Sequence, residues 1–168
     1  PISDYKGYKR LNLKDVATEI NLNRDTFTHK ENSVYIALIG TQKAVNSLEE
    51  LRVKHQNVCQ VVVNKDIILE TYLATYLNSH WGKIFWEAAI KAKPGLIKRL
   101  TKKDISNLVI ALPSLKMQQD IYQTTNKIEK AIDELEEIKK SLTINPISSE
   151  KERGKLDHIS EIIAGFEP

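Results

Sequence analysis

Cysteine is the scarcest informative residue here: 168 residues contain one, Cys59. A single cysteine excludes an internal disulfide and any zinc site built from a cysteine cluster. It fits a reducing compartment, so a cytoplasmic location is expected. Glycine is also sparse, at six residues, and none falls in a GxGxxG or GxxxxGK[ST] pattern. A phosphate-cradling loop of those types is therefore excluded. The four histidines, His29, His55, His80 and His158, are scattered and form no HExxH and no helical ligand pair. No apolar run approaches the roughly 20 residues of a membrane span, and no signal peptide opens the chain. The chain begins Pro1-Ile2-Ser3 without Met, which leads us to expect a piece of a longer protein or a processed form.

Catalytic groups are missing in the same way. Cys59 lies within VCQVV, an apolar strand pattern, where a buried structural thiol is expected rather than a nucleophile. Asn145-Pro146 starts like the Asn-Pro-Pro-Tyr loop of amino-methyltransferases, but Ile147-Ser148 follows and breaks the match. No cofactor, metal or catalytic residue is expected in this chain.

What is present is an ordinary globular composition, 41% hydrophobic and 28% charged. Tyr8 to Leu11 reads as a short strand, and Leu13 to Ile20 as a short helix opened by an Asn12/Asp15 cap. Asn21 to Ser33 is polar and reads as a loop. Val34 to Ile39, Val58 to Val63 and Leu108 to Leu112 are β-branched or apolar runs, hence strands. Val45, Leu48 and Leu51 suggest a short helix between the first two. Tyr72, Leu73, Tyr76 and Leu77 predict one helix, and Ile84, Phe85, Ala88 and Ala89 another that closes before Pro94-Gly95. Trp81, Phe85 and Trp86 fall at helical spacing and are expected in the core rather than stacked on a base. Thr101 and Asp104 form a capping box.

From Ser114 the pattern changes. Ile121, Ile128, Leu135 and Leu142 recur every seven residues, with Thr125 and Ile132 between them. This predicts a long coiled-coil helix over Lys116–Leu142, about 40 Å long, that leaves the body to pack on a partner helix. The expected fold is thus mixed α/β (α+β) over 1–113, with a spacer helix over 114–143 and a tail over 144–168 that holds a short amphipathic piece.

Charge is concentrated. The whole chain is +3, but the 21 residues from Lys83 to Lys103 carry a net +6, opposed only by Glu87. Lys91, Lys93, Lys98, Arg99 and Lys102 surround Pro94-Gly95 and suit phosphate contacts. Gln42 and Lys43, in the loop after a strand, are weaker candidates for base or backbone contact.

One stretch is recognisable, from Ile68 to Leu142, 75 of the 168 residues. Tyr72-Leu73-Ala74-Thr75-Tyr76-Leu77-Asn78-Ser79 followed by Gly82 matches "YLyyyLnS..G". Gly95 precedes Leu100-Thr101-Lys102-Lys103-Asp104-Ile105, as a glycine precedes "is...l..i". Val109 to Gln118 (VIALPSLKMQ) matches "i.iPlPpl.eQ", and Ile121, Ile128 and Ile132 match "I...l..id..i". This series resembles the target recognition domain and spacer helix of the specificity (S) subunit of type I restriction-modification systems. The resemblance implies sequence-specific reading of double-stranded DNA without chemistry by this chain. It also implies partnership with a DNA methyltransferase subunit, and a homodimer or a methyltransferase contact through Ile121, Ile128, Ile132, Leu135 and Leu142. The chain has one recognition domain and one spacer helix where a full S subunit has two of each. A half-size S subunit, the recognition end of a fused methyltransferase and a coiled-coil adaptor without DNA binding therefore stand as alternatives.

Overall fold

A computed structural model describes residues 7–40, 42–144 and 150–165. The Asn145–Ser149 breaker lies outside them, as does Thr41. The chain divides into two compact units, one running to Tyr122 and one from Gln123 onward. The architecture is mixed α/β with two antiparallel sheets.

The first sheet is a two-stranded ribbon, β1 (Lys9–Asn12) against β6 (Val109–Leu112), with Leu11 opposite Ile110. The second has the order β2-β5-β3-β4, formed by β2 (Ala17–Leu22), β3 (Ser33–Ala37), β4 (Ala44–Val45) and β5 (Val58–Val63). Strand β3 is buried along its whole length because both faces of the sheet are covered. On one face Val34, Ile36, Cys59, Val61 and Val63 join the main core. On the other, Tyr35, Val45 and Val58 lie under Phe27, Leu48, Leu51 and Val53.

Two expected helices took a different form. The first stops after one turn, α1 (Leu13–Val16), and the chain continues as β2. Leu13, Val16, Ala17 and Ile20 keep helical spacing, but β-branched Thr18 and Ile20 also suit a strand, and pairing with β5 satisfies the backbone. A register shift falls between Ala17 and Glu19, and the Thr18 hydroxyl there donates to the Val62 carbonyl (3.1 Å). The second, over Val45 to Leu51, becomes edge strand β4 and a single 3-10 turn, Leu48–Glu50. Its apolar residues serve the lower face of the sheet instead of a helix stripe.

Helix α2 (Glu70–Asn78) crosses the core, with Tyr72, Leu73, Ala74, Tyr76 and Leu77 buried. Its tyrosines hold β6: Tyr72 Oη donates to the Ala111 carbonyl (2.6 Å) and Tyr76 Oη to that of Val109 (3.2 Å). Ser79 ends α2 and caps α3 (His80–Lys91), accepting from the Gly82 N–H at 3.3 Å. A Cβ on Gly82 would stand 2.1 Å from the Tyr76 carbonyl oxygen, so this close helix junction requires glycine. Trp86 is fully buried and Trp81 packs against the core, as expected, whereas Phe85 is only half-buried and lies outside both core clusters. Asn78 grips the edge strand through both backbone groups of Ala44, accepting from N–H (3.0 Å) and donating to C=O (2.7 Å).

After α4 (Lys102–Ser106) and β6, Pro113 hands the chain to α5 (Leu115–Ile144), 30 residues in one helix. Its first two turns belong to the body: Ile121 is in the main core and Met117 packs on it. Gln118 is fully buried, and its amide donates to the Ile67 and Pro113 carbonyls and accepts from the Leu69 N–H (3.0, 3.0 and 2.8 Å). These bonds explain why the Leu-Pro-x-Leu-x-x-Gln element ends in an amide: it bonds to both the β6–α5 corner and the chain entering α2.

In the second unit, α5 continues and α6 (Glu150–Ala164) follows. Ile128 and Ile132 are exposed, at 42% and 47%. Leu135 and Leu142 are half-buried and line a cavity with Ile159 of α6. Among the described residues no helix is long and apolar enough to cross a membrane.

Candidate nucleic-acid interface

The strand registers define one end of the four-stranded sheet. Ala37 lies opposite Val58, Leu22 opposite Cys59, and Ile36 opposite Ala44. The segments that leave this end are therefore neighbours: Asn23 onward after β2, residues 38–40 after β3, residues 42–43 before β4, and residues 54–57 before β5. The basic loop joins them, because the Leu38 N–H donates to the Asn57 carbonyl (2.8 Å) and the Leu100 N–H donates to the Leu38 carbonyl (2.9 Å).

Two of the predicted cations hold this loop in place. Arg99 sends Nη1 to Asn57 Oδ1 (2.8 Å) and Nη2 to the Gln56 carbonyl (2.6 Å). Lys93 pairs with Asp104 at 2.5 Å, and both side chains are largely covered. Asp104 also accepts from the Thr101 N–H and hydroxyl, closing the predicted capping box. Burial raises the pKa of this carboxyl, but the bonds from Lys93 and Thr101 outweigh it and hold the group below its usual range.

The other predicted residues are less committed. Lys91 is exposed and makes only a long i,i+4 contact to Glu87 (3.9 Å), a pair of little energetic weight. Lys98 and Lys102 make no ion pair among the described residues. Gln42 is half-buried and Lys43 exposed. Lys43 lines a separate hollow with Glu49, Glu50 and Arg52.

Sequence reasoning missed a third group. Leu22, Asn23, Arg24, Gln56 and Arg99 line one surface recess at the sheet end. Asn, Gln and Arg offer the paired donors and acceptors that read base edges. The loop after β2 is pinned by His55 Nδ1 against the Asp25 carbonyl (2.8 Å) and by Gln60 Nε2 donating to the Thr28 carbonyl (3.0 Å). Its polarity was visible in the sequence, but its place beside Arg99 depends on the strand order.

Cys59 is fully buried in β5, and loss of solvation pushes its thiol up to about 12, with Lys102 opposing weakly. Such a thiol is not a nucleophile near neutral pH.

The family model for the Type I restriction modification DNA specificity domain matches residues 3–145. The chain belongs to that family. Among solved structures it is similar to a chain from a study of complex assembly and conformational transition of the type I R-M system, with a TM-score of 0.53 and 13% identity. That alignment covers 95% of this chain and 43% of the other, so the present chain spans less than half the length of that neighbour. No curated protein matches.

Proposed function

We propose that this chain reads a short duplex DNA sequence through the recess end of its four-stranded sheet and directs a type I methyltransferase or restriction complex to that site. Membership of the DNA specificity family carries the reading. The convergence of Asn23, Arg24 and Gln56 on Arg99 supports its location. In this reading Lys91, Lys98 and Lys102 contact phosphates, while Lys93 and Arg99 hold the loop that carries them. Arg24 and Gln56 read base edges, while Asn23, whose amide accepts from the Asp25 N–H and donates to the Thr26 carbonyl, shapes the loop beside them. Gln42 and Lys43 extend the footprint along the turn after β3. The chain performs no chemistry itself.

Helix α5 supplies the partner contact. Ile128 and Ile132 are its most exposed large apolar residues among the described residues, and they pair with a methyltransferase subunit or with a second copy. Ile121 belongs to the body core and is not available to a partner.

The test is binding of the chain, alone and with its methyltransferase subunit, to duplex DNA across a salt series. Replacing Lys98 and Lys102 by alanine should lower the magnitude of the log–log salt slope by about 1.8, two phosphate contacts' worth. A slope identical to wild type removes these lysines from the interface.

A further inference from the structure

The basic loop has an apolar tip. Leu96 and Ile97 are 103% and 83% exposed, whereas the next most exposed large hydrophobic among the described residues, Ile163, is at 53%. Two adjacent branched side chains fully in water are unfavourable, and the loop does not let them fold inward. Gly95, at φ 84, turns the chain in the left-handed region just before them. On one side Lys93 is paired to Asp104, and on the other Arg99 is bonded to Asn57 and Gln56. Both feet are fixed, so the tip is held outward. Ile97 is two residues from Arg99, at most about 7 Å along the chain, and Arg99 lines the recess.

We propose that Leu96 and Ile97 form a wedge that enters the base stack of the bound duplex. This rests on the DNA-reading function proposed above. The surroundings favour DNA as the occupant. Lys98 directly follows the tip, Lys91 lies shortly before it and Lys102 shortly after, and none of the three is held in the loop's own bonds as Lys93 and Arg99 are. The target must therefore be apolar at its centre and anionic at its rim, which describes a base step between two phosphate backbones. Leucine and isoleucine are among the side chains that part base steps in this way, and the kink exposes more backbone to the flanking cations. Lysines flanking an apolar groove on a protein would need matching acids on that protein, whereas DNA supplies the anions in every sequence.

The test uses duplexes recovered by selection from a randomised pool with this chain, carrying 2-aminopurine at each position in turn. Wild-type protein should raise the fluorescence at one base step and shorten the end-to-end distance read by energy transfer. The double variant Leu96→Ala/Ile97→Ala should bind on the order of tenfold more weakly, give no fluorescence rise at saturation and show a shallower salt slope than wild type, because fewer phosphates then reach the flanking cations. Both side chains are in solvent, so its unfolding midpoint should match wild type. Leu96→Ser alone is the milder variant should the double one misfold. Tight wild-type binding without unstacking at any step overturns the wedge and leaves sequence reading intact. A double variant that binds and bends DNA like wild type but no longer binds the methyltransferase subunit makes the tip a protein contact and also overturns it. Failure of the wild-type chain to select any duplex, alone or with the methyltransferase subunit, overturns the wedge and the recognition reading together.

Discussion

Arg99 reaches across 42 residues of sequence to bond Asn57, with Nη1 2.8 Å from Oδ1. A residue expected to contact phosphate therefore acts first as a strut between the basic loop and the end of the sheet. The two roles separate experimentally. Arg99→Ala should lower stability by about 1–2 kcal/mol, since charge-assisted bonds to partly exposed partners are lost, and should weaken DNA binding as well. Arg99→Lys keeps the charge but not the planar fork and should not restore the loop. Lys98→Ala should weaken binding with an unchanged unfolding midpoint. Urea unfolding and a salt titration of binding, made on the same three variants, read both effects.

Gly82 and Gln118 are each expected to carry stability of their own. Gly82→Ala puts a methyl against the Tyr76 carbonyl and should cost about 2–3 kcal/mol. Gln118→Ala leaves the Leu69 N–H and two carbonyls without their partner and should cost about 3 kcal/mol. Gln118→Glu should not rescue, because a carboxylate can accept from Leu69 but repels the carbonyls of Ile67 and Pro113. Chemical denaturation followed by tryptophan fluorescence is the measurement, with Trp86 in the core as reporter.

The Lys93–Asp104 foot carries a pH signature. The Asp104 carboxyl is held below its usual range in the folded chain, so it binds protons more weakly than when unfolded. Its stabilisation is fully present above the ordinary aspartate value, near 4, and is lost as pH falls through the lower folded value. Wild type should exceed Asp104→Asn in unfolding free energy by a constant margin from pH 7 to about pH 5, and the margin should shrink below about pH 4. A margin that grows in acid would contradict the assignment.

Helix pairing is tested at Ile128 and Ile132. Aspartate at both positions should abolish association with a second copy or with the methyltransferase subunit and leave the body's unfolding midpoint unchanged. Sedimentation of the chain, alone and mixed with that subunit, measures this. A double variant that associates like wild type in both settings would exclude α5 as the partner surface.

Most of the body was legible in the sequence where one residue pattern allowed one structure. VCQVVV has four β-branched valines in six residues and became β5 over the same span. Thr101 and Asp104 became the expected capping box. Prediction failed where the pattern fitted two structures. Leu13 to Ile20 satisfies helical spacing, yet only β5 alongside decides that Ala17 to Leu22 is a strand. The site was legible in part for a related reason. Local charge exposed the basic loop, but which cations are free depends on Asp104 and Asn57, one from a neighbouring element and one from across the sheet end. The recess could not be seen at all, since Arg24, Gln56 and Arg99 meet only through the strand order.

The central claim is that this chain reads DNA sequence through the recess end of the sheet. Its most direct test is a randomised-duplex selection with wild type and with Arg24→Ala/Gln56→Ala, each with and without the methyltransferase subunit. The account predicts one enriched short half-site, or a fixed-spacing pair of them, for wild type. For the variant it predicts altered preference at one or two positions, each costing about 1–3 kcal/mol of discrimination. An identical enriched sequence from both proteins would move base reading away from the recess, and no enrichment under any condition would contradict DNA reading by this chain.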